Sequence, residues 1–252
     1  MNLKIKGIII RETDFSENDK YIEVLTYDYG KISVLCKNIR RKNSPLANKT
    51  RLFNFGEFEV FSTRNRYSLN DVNLIERFFN ISENLDHFAL CSYFLQVCDN
   101  LCNEDSIDTN ITRTLISALY AIKSGTKDIK LVKSALELRL MSLSGFRPII
   151  DKCGICSEKA SLNSPVFDTL NGVLCCGNCC DRLEFSKQIP VTKGVIYAMY
   201  HIINADIKKL YSFTLDQKSF DILSFLTEDY LLTQTDYNFK TLEFYKSLGG
   251  LK

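Results

Sequence analysis

Six of the chain's ten cysteines lie in one short stretch, CGICSEKASLNSPVFDTLNGVLCCGNCC, at residues 153–180. It contains two C-x2-C pairs, Cys153 with Cys156 and Cys176 with Cys179, which are 19 residues apart. Thiolates are soft ligands, and a C-x2-C turn supplies two of the four that a tetrahedral zinc ion requires. The spacing therefore predicts one structural zinc ion bound by these four cysteines.

Two further cysteines, Cys175 and Cys180, flank the second pair. Cys175 is an alternative to Cys176 as the third ligand. A thiol-redox enzyme would require one C-x2-C pair at the start of a helix that follows a strand, and neither pair has that setting. Four thiolates also close the coordination shell, so the predicted site is structural and offers no open position for catalysis.

Other signatures of catalysis or export are missing from the sequence. We find no P-loop, dinucleotide-binding, nucleophile-elbow or zinc-protease motif, and the two histidines lie beside apolar helical patterns. The N-terminus does not resemble a signal peptide, and no apolar run reaches the ~18–20 residues of a membrane span. We therefore expect a non-enzymatic cytoplasmic protein with reduced thiols and no membrane association.

Positive charge is concentrated near the N-terminus, although the net charge of the chain is only +2. Residues 1–75 contain 13 Lys and Arg against 9 Asp and Glu. Between Tyr29 and Gly56 every charged residue is basic: Lys31, Lys37, Arg40, Arg41, Lys42, Lys49 and Arg51. A stretch of one sign attracts a polyanion. A solvated loop is the alternative interpretation of the same composition.

The first 76 residues have the alternation and the turns of β-structure. LKIKGIII is one strand, and YIEVLTYDYGKISVLCK contains two that are joined by a turn at residues 28–30. RLFNFGEFEVF and RYSLNDVNLIER supply two more. Five short strands predict a small closed barrel, because closure removes the exposed sheet edges. The basic stretch is then mostly the loop after the third strand.

From about Ser82 apolar residues recur at helical spacing, in stretches near 85–101, 107–122, 129–143, 192–204 and 215–234. The third stretch ends at SGFRP, where Gly145 can form a left-handed cap and Pro148 prevents continuation. The predicted fold class is α+β. A barrel domain occupies residues 1–80, and a helical domain occupies residues 81–252 with a zinc-binding insertion at about 151–182.

Four motifs, in this order, resemble the RecO recombination-mediator family of bacteria along essentially the whole chain. They are KGIIIRETDFSENDKYIEVLTYDYGKISVLCKNIRRKNSPL, LRLMSLSGFRPIIDKCGIC, NGVLCCGNC and FKTLEFY. The chain departs from the family's pattern at two positions. Asn38 stands where the family usually has Gly, and Cys175 occupies the usual first-ligand position of the second pair.

The resemblance implies that the barrel is an OB-fold and that the protein is a recombination mediator. Such proteins bind single- and double-stranded DNA, anneal complementary strands coated by single-strand-binding protein and, with RecR, help to load RecA. Implied partners are DNA, RecR and the acidic, apolar C-terminal tail of single-strand-binding protein, with RecA indirectly. The resemblance also implies association with the nucleoid during repair.

A small barrel with a basic loop is itself a platform for nucleic acid. The predicted DNA contacts are Lys37, Arg40, Arg41, Lys42, Lys49 and Arg51, extended by Arg64 and Arg66 in the next hairpin. The alternative is a loop that only solvates the barrel, with DNA bound by basic helix faces further along the chain. The resemblance places the tail of single-strand-binding protein on the helical domain, where basic side chains lie among the helices: Arg139, Lys193, Lys208 and Lys209. The alternative function is a zinc-ribbon transcription regulator, which would prefer a particular DNA sequence.

Overall fold

The computed structural model describes residues 1–63, 66–78, 84–102, 107–158, 163–182 and 185–249. Its strands are β1 Asn2–Asp14, β2 Lys20–Thr26, β3 Lys31–Cys36, β4 Asn54–Thr63, β5 Arg66–Arg77, β6 Val166–Asp168, β7 Val173–Cys175 and β8 Gln188–Pro190. Its helices are α1 Leu85–Leu101, α2 Thr109–Ser124, α3 Ile129–Leu143, α4 Lys193–Asn204, α5 Gln217–Thr235 and α6 Lys240–Ser247. The chain forms two compact units, residues 1–123 with 239–252 and residues 124–238.

Strands β1 to β5 close into a barrel in the order β1-β2-β3-β5-β4. All neighbouring strands are antiparallel except β3 and β5, which are parallel. Strand β1 is shared between two partners, since its first part pairs with β4 and its second part pairs with β2. The predicted five-stranded, OB-like barrel followed by helices is confirmed.

Two glycines permit the close approach of strands inside this barrel. Gly7 and Gly56 are partners in the β1–β4 register. A Cβ atom on either glycine would lie 2.6 Å from a backbone carbonyl oxygen of the neighbouring strand, so neither position has room for a side chain. The barrel core is apolar and consists of Ile5, Ile9, Ile22, Val24, Ile32, Val34, Cys36, Ile39, Phe58, Val60 and Val72.

Helix α1 is attached to the barrel by charges near its C-terminus. The Asp99 carboxylate accepts hydrogen bonds from Arg11 of β1 at 3.0 Å and from Lys31 of β3 at 2.9 Å. The Lys31 ammonium also donates to the backbone carbonyl of Asp99 at 2.8 Å. That carbonyl is one of those that a helix leaves unsatisfied in its last turn. Helix α6, which the sequence pattern did not predict, packs on α1 in the same compact unit.

In the second unit α3 packs on α4 and α5, and a buried ion triad lies between α3 and α5. The Lys133 ammonium is 2.6 Å from Glu137 and 2.9 Å from Glu228. Thr227 donates to the second oxygen of Glu137 at 2.9 Å. Burial alone would lower the pKa of Lys133, but the two carboxylates outweigh it and raise that pKa. Lys133 is therefore a buried cation that two helices share.

Among the described residues, no helix combines the length and the apolar character needed to cross a bilayer.

Replacing Lys133 by Met should lower the free energy of unfolding by about 3–5 kcal/mol, because the change removes the ammonium that two carboxylates share. The shift in the urea midpoint of unfolding measures this loss. Lys130→Met is the matched control, since Lys130 is also on α3 but is only partly buried. The control should change stability by less than ~0.5 kcal/mol. Equal midpoints for the two variants would contradict the role of the triad.

Candidate metal centre and nucleic-acid interface

The two cysteine turns come together in the second unit. Cys153 and Cys156 follow α3, whereas Cys176 and Cys179 follow β7. The four sulfur atoms lie within 4.8 Å of one another, and those of Cys156 and Cys176 are 3.9 Å apart. Four sulfurs bound to one zinc ion at the usual bond length lie ~3.8 Å apart. The arrangement could therefore hold one tetrahedral metal ion.

Backbone contacts bring the two turns together. The N–H of Gly154 donates to the carbonyl of Leu174 at 2.8 Å, and the N–H of Cys176 points at the Cys153 sulfur at 3.5 Å. A Cβ on Gly154 would lie 2.7 Å from the Val173 side chain, so only glycine fits between the turns. The predicted hairpin in this segment is formed by β6 and β7, and β8 adds a third strand.

Two of these thiols, those of Cys153 and Cys179, have pKa values shifted in opposite directions. Burial opposes ionisation of Cys153, but N–H groups of Cys156, Cys176 and Ile155 point at its sulfur and lower its pKa to about 6. A hydrogen bond with the Cys176 thiol, together with burial, raises the pKa of Cys179 to about 12. Four adjacent thiolates repel one another, so a bound cation is needed to stabilise them all in the deprotonated form.

Cys175 lies outside this group of sulfurs. It is the last residue of β7, and its fully buried side chain has its pKa raised by burial to about 11. Of the two alternatives for the third ligand, the geometry points to Cys176, because its sulfur is the one that lies with Cys153, Cys156 and Cys179.

Residues 37–53, here called the basic loop, connect β3 to β4 by consecutive turns. Asn38 has a left-handed backbone conformation with φ 54°. Glycine adopts this conformation freely and asparagine tolerates it, so Asn38 preserves the loop backbone that a glycine would give. The N–H of Asn38 donates to the Asp19 carboxylate at 2.7 Å, which ties the loop to the turn between β1 and β2.

The basic loop is also packed against the barrel. Ile39 is buried in the barrel core, and Leu46 packs on that core. Thr50 is buried, and both its N–H and its hydroxyl donate to the carbonyl of Leu46 at 3.1 Å. Apolar anchors and local hydrogen bonds therefore fix the loop, and its charged residues other than Lys49 are exposed.

The predicted DNA contacts in the basic loop differ in how available they are. Arg40 is 3.3 Å from Asp14, and Lys49 is 2.8 Å from Asp71. The hydrogen bond from Lys49 holds the pKa of Asp71 below its usual value. The other four are exposed and have no acidic partner in the described part of the chain: Lys37, Arg41, Lys42 and Arg51.

The other basic residues named from the sequence lie on the next hairpin and in the second unit. Arg66 is exposed at the start of β5, whereas Arg64 lies outside the described residues. Arg139 donates to the carbonyls of Ile202 and Ile203 at the end of α4, so its guanidinium is occupied within the second unit. The other three named residues of that unit, all lysines, are exposed: Lys193, Lys208 and Lys209.

The sequence matches two protein-family models, "Recombination protein O N terminal" over residues 1–78 and "Recombination protein O C terminal" over residues 82–243. It is similar to three bacterial proteins that are each named DNA repair protein RecO. The one from Caldicellulosiruptor bescii is 29% identical over 244 residues, which cover 97% of this chain and 98% of the relative. The Acetivibrio thermocellus protein is 27% identical over 253 residues, covering 99% and 98%. The Clostridium acetobutylicum protein is 27% identical over 234 residues, covering 90% and 92%.

Replacing Cys176 by Ser should abolish metal binding, whereas Cys175→Ser should retain it. Of these two neighbouring cysteines, Cys176 is the one whose sulfur belongs to the group of four. Elemental analysis of the purified proteins measures the difference. We expect about one metal ion per chain in the unchanged protein and in Cys175→Ser. The reverse pattern would assign the ligand to Cys175, and an unchanged protein that folds without metal would contradict the metal centre.

Proposed function

Because this chain belongs to the recombination protein O (RecO) family, we propose that it is a DNA-binding recombination mediator of the RecO type. In this role it binds single- and double-stranded DNA and anneals complementary strands coated by single-strand-binding protein. With RecR it helps to load RecA. The role requires no bond-breaking chemistry, so we propose a non-enzymatic protein of the cytoplasm that joins the nucleoid during repair.

The observation that carries this proposal is exposed positive charge on an ordered loop of a small barrel. Lys37, Arg41, Lys42 and Arg51 present cationic groups that no described carboxylate neutralises. Ammonium and guanidinium groups in such a setting suit the phosphates of DNA. Contacts with phosphates do not depend on the base sequence. Annealing of arbitrary complementary strands requires binding of this kind.

We propose zinc as the ion of the four-cysteine group. A tetrahedral set of four thiolates favours zinc over the harder divalent cations. Cys153, Cys156, Cys176 and Cys179 would hold it, and the closed shell gives the ion a structural role. The ion would join the turn after α3 to the hairpin of β6 and β7. The elemental analysis that counts the bound metal also identifies it.

Removing three charges of the basic loop should weaken DNA binding and reduce its dependence on salt. The variant is Lys37→Ala/Arg41→Ala/Lys42→Ala. Each phosphate contact that is lost reduces the number of counterions released when DNA binds. The slope of log K against log salt should therefore flatten by roughly two to three units on duplex and somewhat less on single strands. Fluorescence anisotropy with labelled oligonucleotides across a salt series measures both affinity and slope.

The control variant Lys208→Ala/Lys209→Ala removes two exposed charges from the second unit and should leave the slope unchanged. A flattened slope in the control together with an unchanged slope in the loop variant would move the DNA site to the second unit. Unlabelled duplexes of unrelated sequence should compete equally with the labelled probe. Strong preference for one sequence would instead support the zinc-ribbon transcription regulator.

Family membership also supports RecR and the C-terminal tail of single-strand-binding protein as partners. A labelled tail peptide should bind the protein at micromolar concentration, and the binding should weaken with salt because the tail is acidic. Fluorescence anisotropy measures this interaction, and a peptide with its acidic residues replaced by amides is the control. Equal binding of the two peptides, or no binding of either, would contradict the tail as a partner.

A further inference from the structure

An exposed aromatic side chain lies in the turn between β1 and β2. Phe15 is 60% exposed. Its N–H and that of Ser16 both donate to the carbonyl of Asp19, at 3.1 and 3.2 Å, and the Asp19 N–H donates to the Ser16 hydroxyl at 3.1 Å. The turn is therefore closed by its own hydrogen bonds, and it displays a phenyl ring that does not belong to the barrel core.

The ring of Phe15 retains a free face. It meets the ring of Tyr21 edge to face, with the centroids 4.9 Å apart and the planes at 75°. Whichever ring supplies the edge, Tyr21 leaves at least one face of Phe15 uncovered. An uncovered aromatic face is the surface on which an unpaired nucleobase stacks, and stacking tolerates any base because every base has a π-face.

The turn that carries Phe15 is joined to the start of the basic loop. Three hydrogen bonds link them: Arg40 N–H to the Asn18 carbonyl at 3.0 Å, Asn38 N–H to the Asp19 carboxylate at 2.7 Å, and the Arg40 guanidinium to the Ser16 carbonyl at 3.1 Å. Lys37 and Arg41 are the immediate chain neighbours of the bonded residues. The segment that carries the exposed cationic groups and the turn that carries the aromatic ring are therefore joined directly by hydrogen bonds.

The acidic residues of the turn do not cancel this positive charge. Asp14 is 3.3 Å from the Arg40 guanidinium, and the Asp19 carboxylate accepts the backbone N–H of Asn38. Glu17 is exposed and, like Asp19, has no ion pair among the described residues. The turn thus brings three carboxylates against the four cationic side chains at residues 37–42 of the basic loop, so the net charge of the two segments is positive.

We propose that Phe15 is a stacking site for one unpaired base of a DNA strand whose phosphates contact Lys37, Arg41 and Lys42. The inference rests on the proposed DNA-binding function. A base inside a duplex is already stacked on both faces and cannot reach the ring. The phosphate contacts serve single and double strands alike, so Phe15 is the residue of this surface that distinguishes between them.

Phe15→Ala should weaken binding of a single-stranded oligonucleotide about tenfold, as expected for the loss of one stacked base. Duplex affinity should stay within about twofold, and the salt slope should not change, because no charge is removed. Phe225→Ala is the control, since Phe225 on α5 is also 60% exposed and lies in the second unit. The control should bind both kinds of DNA as the unchanged protein does.

Phe15→Trp tests the stacking directly. The chain contains no tryptophan, so the variant carries a single indole reporter. Single-stranded DNA should quench its fluorescence, duplex should not, and single-strand affinity should be retained because indole also stacks. Unchanged single-strand affinity in Phe15→Ala would overturn the inference while leaving the DNA-binding function intact. Failure of the unchanged protein to bind any DNA would overturn the proposed function itself.

Discussion

Closure of the barrel places β5 between β3 and β4. The connection from β3 to β4 must therefore cross the end of the barrel past the position of β5. Residues 37–53 make that crossing and carry the positive charge. An ion pair between the buried Lys20 and the partly buried Glu12 fixes this connection, since the Lys20 ammonium is 2.6 Å from Glu12 and donates to the carbonyl of Thr50 at 2.7 Å. The second oxygen of Glu12 accepts the N–H of Leu52 at 2.6 Å. The placement of the cationic surface thus follows from the closure of the barrel.

The cysteine segment depends on a different set of constraints. Strands of three residues cannot form a stable sheet alone, so β6, β7 and β8 require support from outside. One source is α5, where Tyr230 packs on Phe167 with the ring centroids 5.3 Å apart and Asp229 accepts from Thr169 at 2.8 Å. Their chain neighbour Glu228 belongs to the buried triad with α3. Metal binding, worth on the order of 10 kcal/mol in small thiolate sites, would supply the remaining support.

The sequence predicted the barrel strands from alternation and turns, and it predicted the cysteine group from ligand spacing, because both signals are local. It did not predict α6, since an eight-residue polar helix that buries only Leu242 and Tyr245 has too little periodicity. Cys175 and Cys176 are adjacent in the chain, and only the end of β7 separates their environments. Two of the predicted DNA contacts form ion pairs within the folded barrel, Arg40 with Asp14 and Lys49 with Asp71. These pairs could not be predicted, because their partners come together only when the barrel folds.

If the protein anneals DNA strands, as proposed above, its positive charge and its exposed aromatic ring suit that function. Annealing requires that the hydrogen-bonding edges of the bases remain available to the incoming strand. Phosphate contacts with the basic loop and stacking on the face of Phe15 both leave those edges free. A deep pocket that hydrogen-bonds the base edges would compete with the complementary strand. When a duplex forms, its bases stack on one another, so the contact with Phe15 is lost and the product is bound by charge alone.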